Sequence, residues 1–292
     1  MLDLEELNCE VKIKMAVNFD KYLYSTGTHY ISNSGHDENK QYKGGKAGDQ
    51  SGDEWSLKAW YNRPWTVVLR YPDQAVALEI AKLGIAAALN NKIGYDQNQR
   101  TSYWTQLKAV GYDPSKITVA CEEDCTAGVS SNVRAAGYIF GIKALQDVPI
   151  CTSRNMRSQF TKAGFQALTA SKYLTSGKYL LPGDILLYES HHAATNITLG
   201  SSVKSTWHPG EIPTTPDGED PVIPVPSVEP PFVEIIGKVN LRQGPNASYK
   251  SIAVAKPGDR LHYFGYTLDN WLLIEYEKQT LWVSGKYAKV AN

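Results

Sequence analysis

The residues best suited to chemistry lie in ACEEDCTAGVSS, residues 120–131, where two of the four cysteines stand four apart beside three acids. A metal clip, a disulfide and a nucleophile are the three readings. Structural zinc takes four ligands, usually as two close pairs. The only other close pair of ligand type is His191-His192, and neighbours on a strand face opposite ways. Cys9, Cys121, Cys125 and Cys151 are also too few and too scattered for a disulfide framework. The nucleophile reading explains more. Asp124-Cys125-Thr126 precedes a helical pattern, so Cys125 falls in a first turn, where unpaired N–H groups and the positive helix end stabilise a thiolate. Small residues follow it, Ala127 and Gly128, and would let a substrate backbone come close. The competing reading is a buried inert thiol, a common core residue. A thiol nucleophile also needs a base, and HHAATNITLG, residues 191–200, offers His191 or His192.

The elements that must hold these groups read as mixed α and β. PWTVVLRY (64–71) is a short strand or buried extended segment, and 72–91 carries Val76, Ile80, Leu83 and Ala87 at helical spacing. Residues 101–114 form a second helix, stopped by Gly111 and Pro114. From Asp124 to about Leu145, Val129, Val133, Ala136 and Phe140 mark a buried helix face. In 180–200, Pro182-Gly183-Asp184 makes a turn flanked by two strands. HPGEIPTTPDGEDPVIPVPSVEPP (208–231) is proline-dominated and decorated with acids, an extended linker. It separates a domain over 15–207 from a module over 232–292, whose five or six short alternating runs indicate a small antiparallel barrel. Residues 1–14 read as an N-terminal extension, acidic and without the apolar region of a secretory signal.

Composition narrows the partners. Thirty basic and thirty acidic side chains cancel, so no overall field draws the chain to nucleic acid or anionic lipid. No apolar stretch approaches ~20 residues, so no membrane span is expected. Eighteen Tyr and seven Trp against six Phe favour rings with a polar edge, suited to carbohydrate or peptide surfaces. GGKAGDQSGDEW (44–55) has glycines where a backbone turns tightly or passes a ligand, and there Asp49 and Gln50 could bond substrate amide or amine groups. Tyr95 and Tyr112, both following Gly, are possible cleft rings. Glu122, Glu123 and Asp124 read as a solvated or helix-capping cluster, with Asp124 close enough to Cys125 to count among the substrate-side residues.

Asp124-Cys125-Thr126 opening a helix, followed by LPGDILLYESHHAATNITLG, resembles the NlpC/P60 superfamily of papain-like cell-wall hydrolases. GGKAGDQSGDEW, WYNRPW, IGYDQNQR, ACEEDCTAG, NMRSQF and LLPGDILL…HHAATN together resemble a phage and prophage endolysin branch of it, over roughly residues 15–200. VNLRQGPNASY (239–249) resembles bacterial SH3-type wall-binding domains. The resemblance implies an α+β papain-like domain plus an SH3-like barrel, acting on bacterial peptidoglycan. Cys125 would attack an amide carbonyl, a histidine would move the proton, and the Cys125 N–H with a neighbour would hold the oxyanion. It implies no metal or organic cofactor, and a monomer made in the cytoplasm that acts on the wall. Between the histidines, strand alternation favours His192, which shares a face with Ala194 and Asn196. His191 shares its face with Ala193, Thr195, Ile197 and Leu199, the expected core side, and is retained only as a substrate-side residue. Asn196 stands about 13 Å along the strand from His192, too far to orient its ring. The family takes its third polar group from the next strand, which makes His208 the expected member, with a backbone carbonyl as substitute. Two rival readings remain. One is a zinc amidase using His29, His36 or His191; the other is a wall-binding protein with an inactive N-terminal domain. Which amide is cut stays open among the muramoyl–Ala, stem-peptide and cross-bridge bonds.

Overall fold

The computed structural model describes residues 17–203, 232–242, 247, 249–268, 270–277 and 279–291. The extension expected over 1–14, the linker over 208–231 and His208 lie outside the described residues.

The N-terminal domain opens with α1 (Asp20–Leu23), β1 (Tyr30–Ser34), β2 (Trp55–Ala59), β3 (Val67–Arg70) and α2 (Gln74–Ala88). Next come β4 (Ile93–Tyr95), α3 (Ser102–Ala109), β5 (Cys121–Glu123), α4 (Cys125–Ile139), α5 (Lys143–Gln146) and α6 (Met156–Lys162). β6 (Gln166–Leu168), α7 (Ser171–Leu174), β7 (Ile185–Tyr188) and β8 (His192–Asn196) complete it. Six strands form one antiparallel sheet in the order β2-β1-β8-β7-β3-β6, while β4 and β5 pair in parallel. The helical spacing read over 72–91 and 101–114 corresponds to α2 and α3, and Gly111 ends α3 at φ +68°. The pattern running from Asp124 towards Leu145 is interrupted after Ile139, where Gly141 at φ +69° turns the chain into α5.

The main core joins α2, α3 and α4 to one sheet face through Val76, Ile80, Leu107, Val133, Leu69 and Leu187, among others. The other face of the sheet buries Ile31, Trp65, Val68, Leu186 and Ala194. The turn expected at Pro182-Gly183-Asp184 is fixed from two sides. Gly183 sits at φ +85°, where a Cβ would come within 1.9 Å of the Ala77 carbonyl oxygen. Asp184 accepts from Arg70 Nε at 2.8 Å and Nη2 at 2.6 Å, and from the Leu181 N–H at 2.8 Å. Breaking this buried pair from one side should cost about 3–5 kcal/mol. No helix among the described residues is long and apolar enough to cross a membrane.

The separate C-terminal domain is all β: β9 (Phe232–Ile235), β10 (Val239–Arg242), β11 (Ser251–Ala255), β12 (Arg260–Leu268), β13 (Trp271–Tyr276), β14 (Gln279–Ser284) and β15 (Ala288–Ala291). These seven strands, where five or six runs were expected, pair antiparallel in the order β11-β10-β14-β13-β12-β9-β15 around Val233, Ile235, Leu241, Ile274 and Val283.

Candidate active site

Cys125 begins α4. Asp124, in an extended conformation, caps the helix by accepting the Thr126 N–H at 3.0 Å and the Ala127 N–H at 2.8 Å on Oδ1. Such a cap stabilises a helix by about 1 kcal/mol. Asp124 is held in turn by the guanidinium of Arg100, which also donates to Thr126 Oγ1 at 3.0 Å and to the Cys151 carbonyl at 2.5 Å. The Gly128 N–H goes to Glu123 Oε2 at 3.0 Å and to the Asp124 carbonyl at 2.9 Å. The first-turn N–H groups of Thr126, Ala127 and Gly128 are therefore committed. That leaves the Cys125 N–H, which an α-helix cannot satisfy internally.

A break in the sheet gives the sulfur its place. β1 and β8 pair only at Ile31↔Asn196 and Ser32↔Thr195. The Ile197 N–H donates to the Tyr30 carbonyl, so an antiparallel ladder that continued would bring the Ala193 N–H to the Ser34 carbonyl. The pairing stops short of that point. The Ala193 N–H reaches the Cys125 sulfur instead, and the Ser34 hydroxyl donates to Glu123 Oε1, beside α4. The expected nucleophile and the expected base are thus linked through consecutive strand residues, the Cys125 sulfur on the Ala193 N–H and His192 next to it. Sulfur and ring make no hydrogen bond to one another among the described residues.

His192 is 6% exposed, and its Nε2 lies 2.8 Å from Asn33 Oδ1 on β1. Asn33 Oδ1 also accepts from the Tyr61 hydroxyl at 3.0 Å, so an amide oxygen that can only accept requires the ring proton on Nε2. This tautomer leaves the Nδ1 lone pair for a proton. The indole of Trp65 stacks on the ring, with centroids 6.1 Å apart and planes at 29°. Burial lowers the ring's pKa from 6.5 to about 3, assisted by the charges of Arg63 and Lys58. Cys125 is 9% exposed, and its thiol is pushed up to about 12 by burial, then by Asp124, against the opposing Ala193 N–H. Burial thus favours the neutral thiol and the neutral imidazole, opposing the thiolate that the helix end alone would stabilise.

The other expected residues are placed variously. His191 is not on the core side: it is exposed, in the β7–β8 turn after Ser190 at φ +68°, stacked 4.2 Å from the Tyr188 ring. It is His192 that is buried, so the alternation argument favoured this residue for the wrong reason. Asp49 spends its carboxylate inside the 44–55 loop, accepting the N–H groups of Ser51, Gly52 and Glu54. The exposed Gln50 donates to the Ala47 and Gly48 carbonyls. Tyr95 is buried within electrostatic reach of Cys125, and Gln97 donates to its hydroxyl at 3.0 Å. Tyr112 is not a cleft ring. It stacks on Tyr138 at 4.8 Å, near the far end of α4 and about 20 Å along the helix from Cys125. Asn196 Oδ1 accepts from His29 Nε2 at 2.6 Å, away from His192.

Two further expectations change. Glu122 and Glu123 are not solvated but fully buried; burial raises Glu122 to about 8 and holds Glu123 well above the carboxylate range. Gly128 makes room for Glu123 and the Trp55 ring, which a Cβ would meet at 2.3 and 2.8 Å, rather than for substrate. The zinc set does not assemble either. His29 bonds Asn196, His36 lies 4.0 Å from Asp53, and His191 rests on Tyr188; no three His, Cys, Asp or Glu side chains converge on a common point among the described residues.

Sequence reasoning missed Asn33, Tyr61, Trp65 and Arg100. Three of these lay inside the quoted motifs WYNRPW and IGYDQNQR, but Asn33 sits in a Ser-Asn-Ser run with no signal of its own. No curated protein matches the chain. A bacterial SH3 domain model matches residues 237–289, in keeping with the all-β C-terminal domain. The model of the endolysin-like domain matches residues 31–203, more than half of the chain and the whole of the site, and the chain belongs to that family.

Proposed function

We propose that this chain is a cysteine-dependent peptidoglycan amidase or endopeptidase, with a papain-like catalytic domain and an SH3-type domain that holds it on the wall. An endolysin-like domain joined to a bacterial SH3 domain is the layout of a peptidoglycan hydrolase. The observation that carries the finer reading is the link from Asn33 to the His192 ring, set beside a helix-starting cysteine bonded to Ala193.

In this reading the Cys125 sulfur attacks the amide carbonyl as its proton passes to His192 Nδ1. Because burial disfavours charge on both groups, transfer accompanies attack and does not precede it. The oxyanion is held by the Cys125 N–H, with the Tyr95 hydroxyl as second donor. Asn33 keeps the ring proton on Nε2, and Trp65 covers the His192–Asn33 bond from water. Collapse breaks the C–N bond, and the imidazolium returns its proton to the leaving amine. Water, deprotonated by the same nitrogen, then hydrolyses the thioester to free acid and restores the thiol. Asp124 caps α4 and fixes Cys125, and Asp49 holds the neighbouring loop.

The test is release of amines or muropeptides from purified sacculi by Cys125→Ala against wild type. Loss of release with sacculus binding retained, together with iodoacetamide inhibition and indifference to EDTA, supports the reading. A fully active alanine variant overturns it. A wild-type protein that binds sacculi and releases nothing points to the adhesive reading instead.

A further inference from the structure

Within WYNRPW, between β2 and β3, Tyr61 and Trp65 dress the Asn33–His192 pair, which leaves Arg63 without a role. Its guanidinium lies 5.8 Å from the ring centroid of Tyr188, the residue directly opposite His192 in the β7–β8 pairing. Its Nη1 donates to the Tyr61 hydroxyl at 3.4 Å, one further bond from Asn33. A second cation stands close by. Lys58 pairs with Ile31, so its side chain leaves the sheet on the face of Ile31 and Asn33. Neither Arg63 nor Lys58 has an acidic partner among the described residues, and the nearest acid in sequence to Tyr188, Glu189, pairs with Arg157 at 3.6 Å.

Two unpaired positive charges beside an imidazole make it a poorer proton acceptor, because like charge disfavours the imidazolium. A base so placed works best when an anion arrives with the substrate and cancels them. The planar guanidinium fork suits a carboxylate in two-point contact, and peptidoglycan stem peptides carry free carboxylates at their acidic residue and C-terminus. We propose that Arg63, with Lys58 as a second cation, binds a free stem-peptide carboxylate on the His192 side of the scissile amide. The inference rests on the Cys125–His192 reading of the site.

The experiment compares native sacculi with sacculi whose carboxylates have been converted to carboxamides by carbodiimide and ammonia. For the wild type, kcat/KM is expected to fall about tenfold or more on the amidated wall, chiefly through KM. In Arg63→Gln the ratio between the two substrates should shrink to about twofold or less, and Arg63→Lys should keep an intermediate ratio. Lys58→Gln, also expected to be intermediate, gives the same readout should Arg63→Gln fail to fold. Equal wild-type rates on both walls, or a wild-type ratio persisting in Arg63→Gln, would overturn the proposal. If Cys125→Ala is inactive while the ratio is unity, only the carboxylate site fails; if Cys125→Ala is active, the underlying reading fails first.

Discussion

Cys121 and Cys125 stand four residues apart, both buried, and burial with neighbouring carboxylates pushes both thiols up to about 12. Neither burial nor acidity separates them. Their neighbours do. The Cys121 thiol faces a carbonyl, donating to Lys92 O at 3.5 Å, an arrangement that keeps the proton on sulfur. Cys125 faces N–H groups, those of Ala193 and Thr126, and the imidazole of His192 stands one residue before Ala193. A donor aimed at a sulfur favours negative charge there and a carbonyl opposes it. In the proposed mechanism, the polarity of these backbone contacts is what sets the nucleophile apart from the inert cysteine.

The largest effect should come from exchanging their roles. Cys125→Ala is expected to lower turnover by about 10⁴-fold or more, on the scale of losing a nucleophile, whereas Cys121→Ala should leave turnover within about threefold; release assays on sacculi compare them directly. Next is Asn33→Ala. With the ring free to choose its tautomer, turnover should fall about 10²-fold and Cys125 should alkylate more slowly, as timed iodoacetamide labelling would reveal, while Cys121 behaves as before.

The third test concerns pH. The His192 pKa falls from 6.5 to about 3 on folding, so the neutral ring favours the folded state. Above pH 6.5 that stability is fully present. Between 6.5 and about 3 the unfolded chain takes up a proton that the folded one refuses, and stability drains away by a few kcal/mol. Denaturant titrations of His192→Gln should show a shallower loss over this window. Glu122, raised from 4.5 to about 8, runs the other way: its contribution is present below pH 4.5 and is lost as pH climbs to about 8, so Glu122→Gln should gain stability at pH 8. Smallest is the structural cost of Cys121→Ala, about 1–2 kcal/mol for a small buried side chain, read from the same titrations.

α2, α3, α4, the β7–β8 pair and the Pro182-Gly183-Asp184 turn were legible because their apolar residues repeat at regular intervals and the turn residues are specific, whereas the short α1, α6 and α7 were not read. The strand β1, between β2 and β8, was not. β1 reads Tyr-Ile-Ser-Asn-Ser, and each polar side chain is satisfied by something distant in sequence. Ser32 donates to the Gly84 carbonyl, Asn33 accepts from Tyr61 and binds His192, and Ser34 donates to Glu123. A buried strand built this way carries no hydropathy signal. The acids of β5 mislead for the same reason: Glu122 accepts the Gly48 N–H across 74 positions of sequence. The place of Cys125 at a helix start could be read from Asp124-Cys125-Thr126 and the pattern after it, whereas the amide that holds the His192 ring could not, because nothing local demands an asparagine at position 33.

The gap between β1 and β8 also makes the protein its own reporter. Across that gap the main-chain amide of residue 193 reaches the Cys125 sulfur, the proposed nucleophile, from outside its own helix. Its nitrogen and proton resonances should therefore change when that sulfur is alkylated and, in the proposed mechanism, when it is acylated, and return when the thioester is hydrolysed. Turnover could be followed at one backbone position, without a label on the substrate.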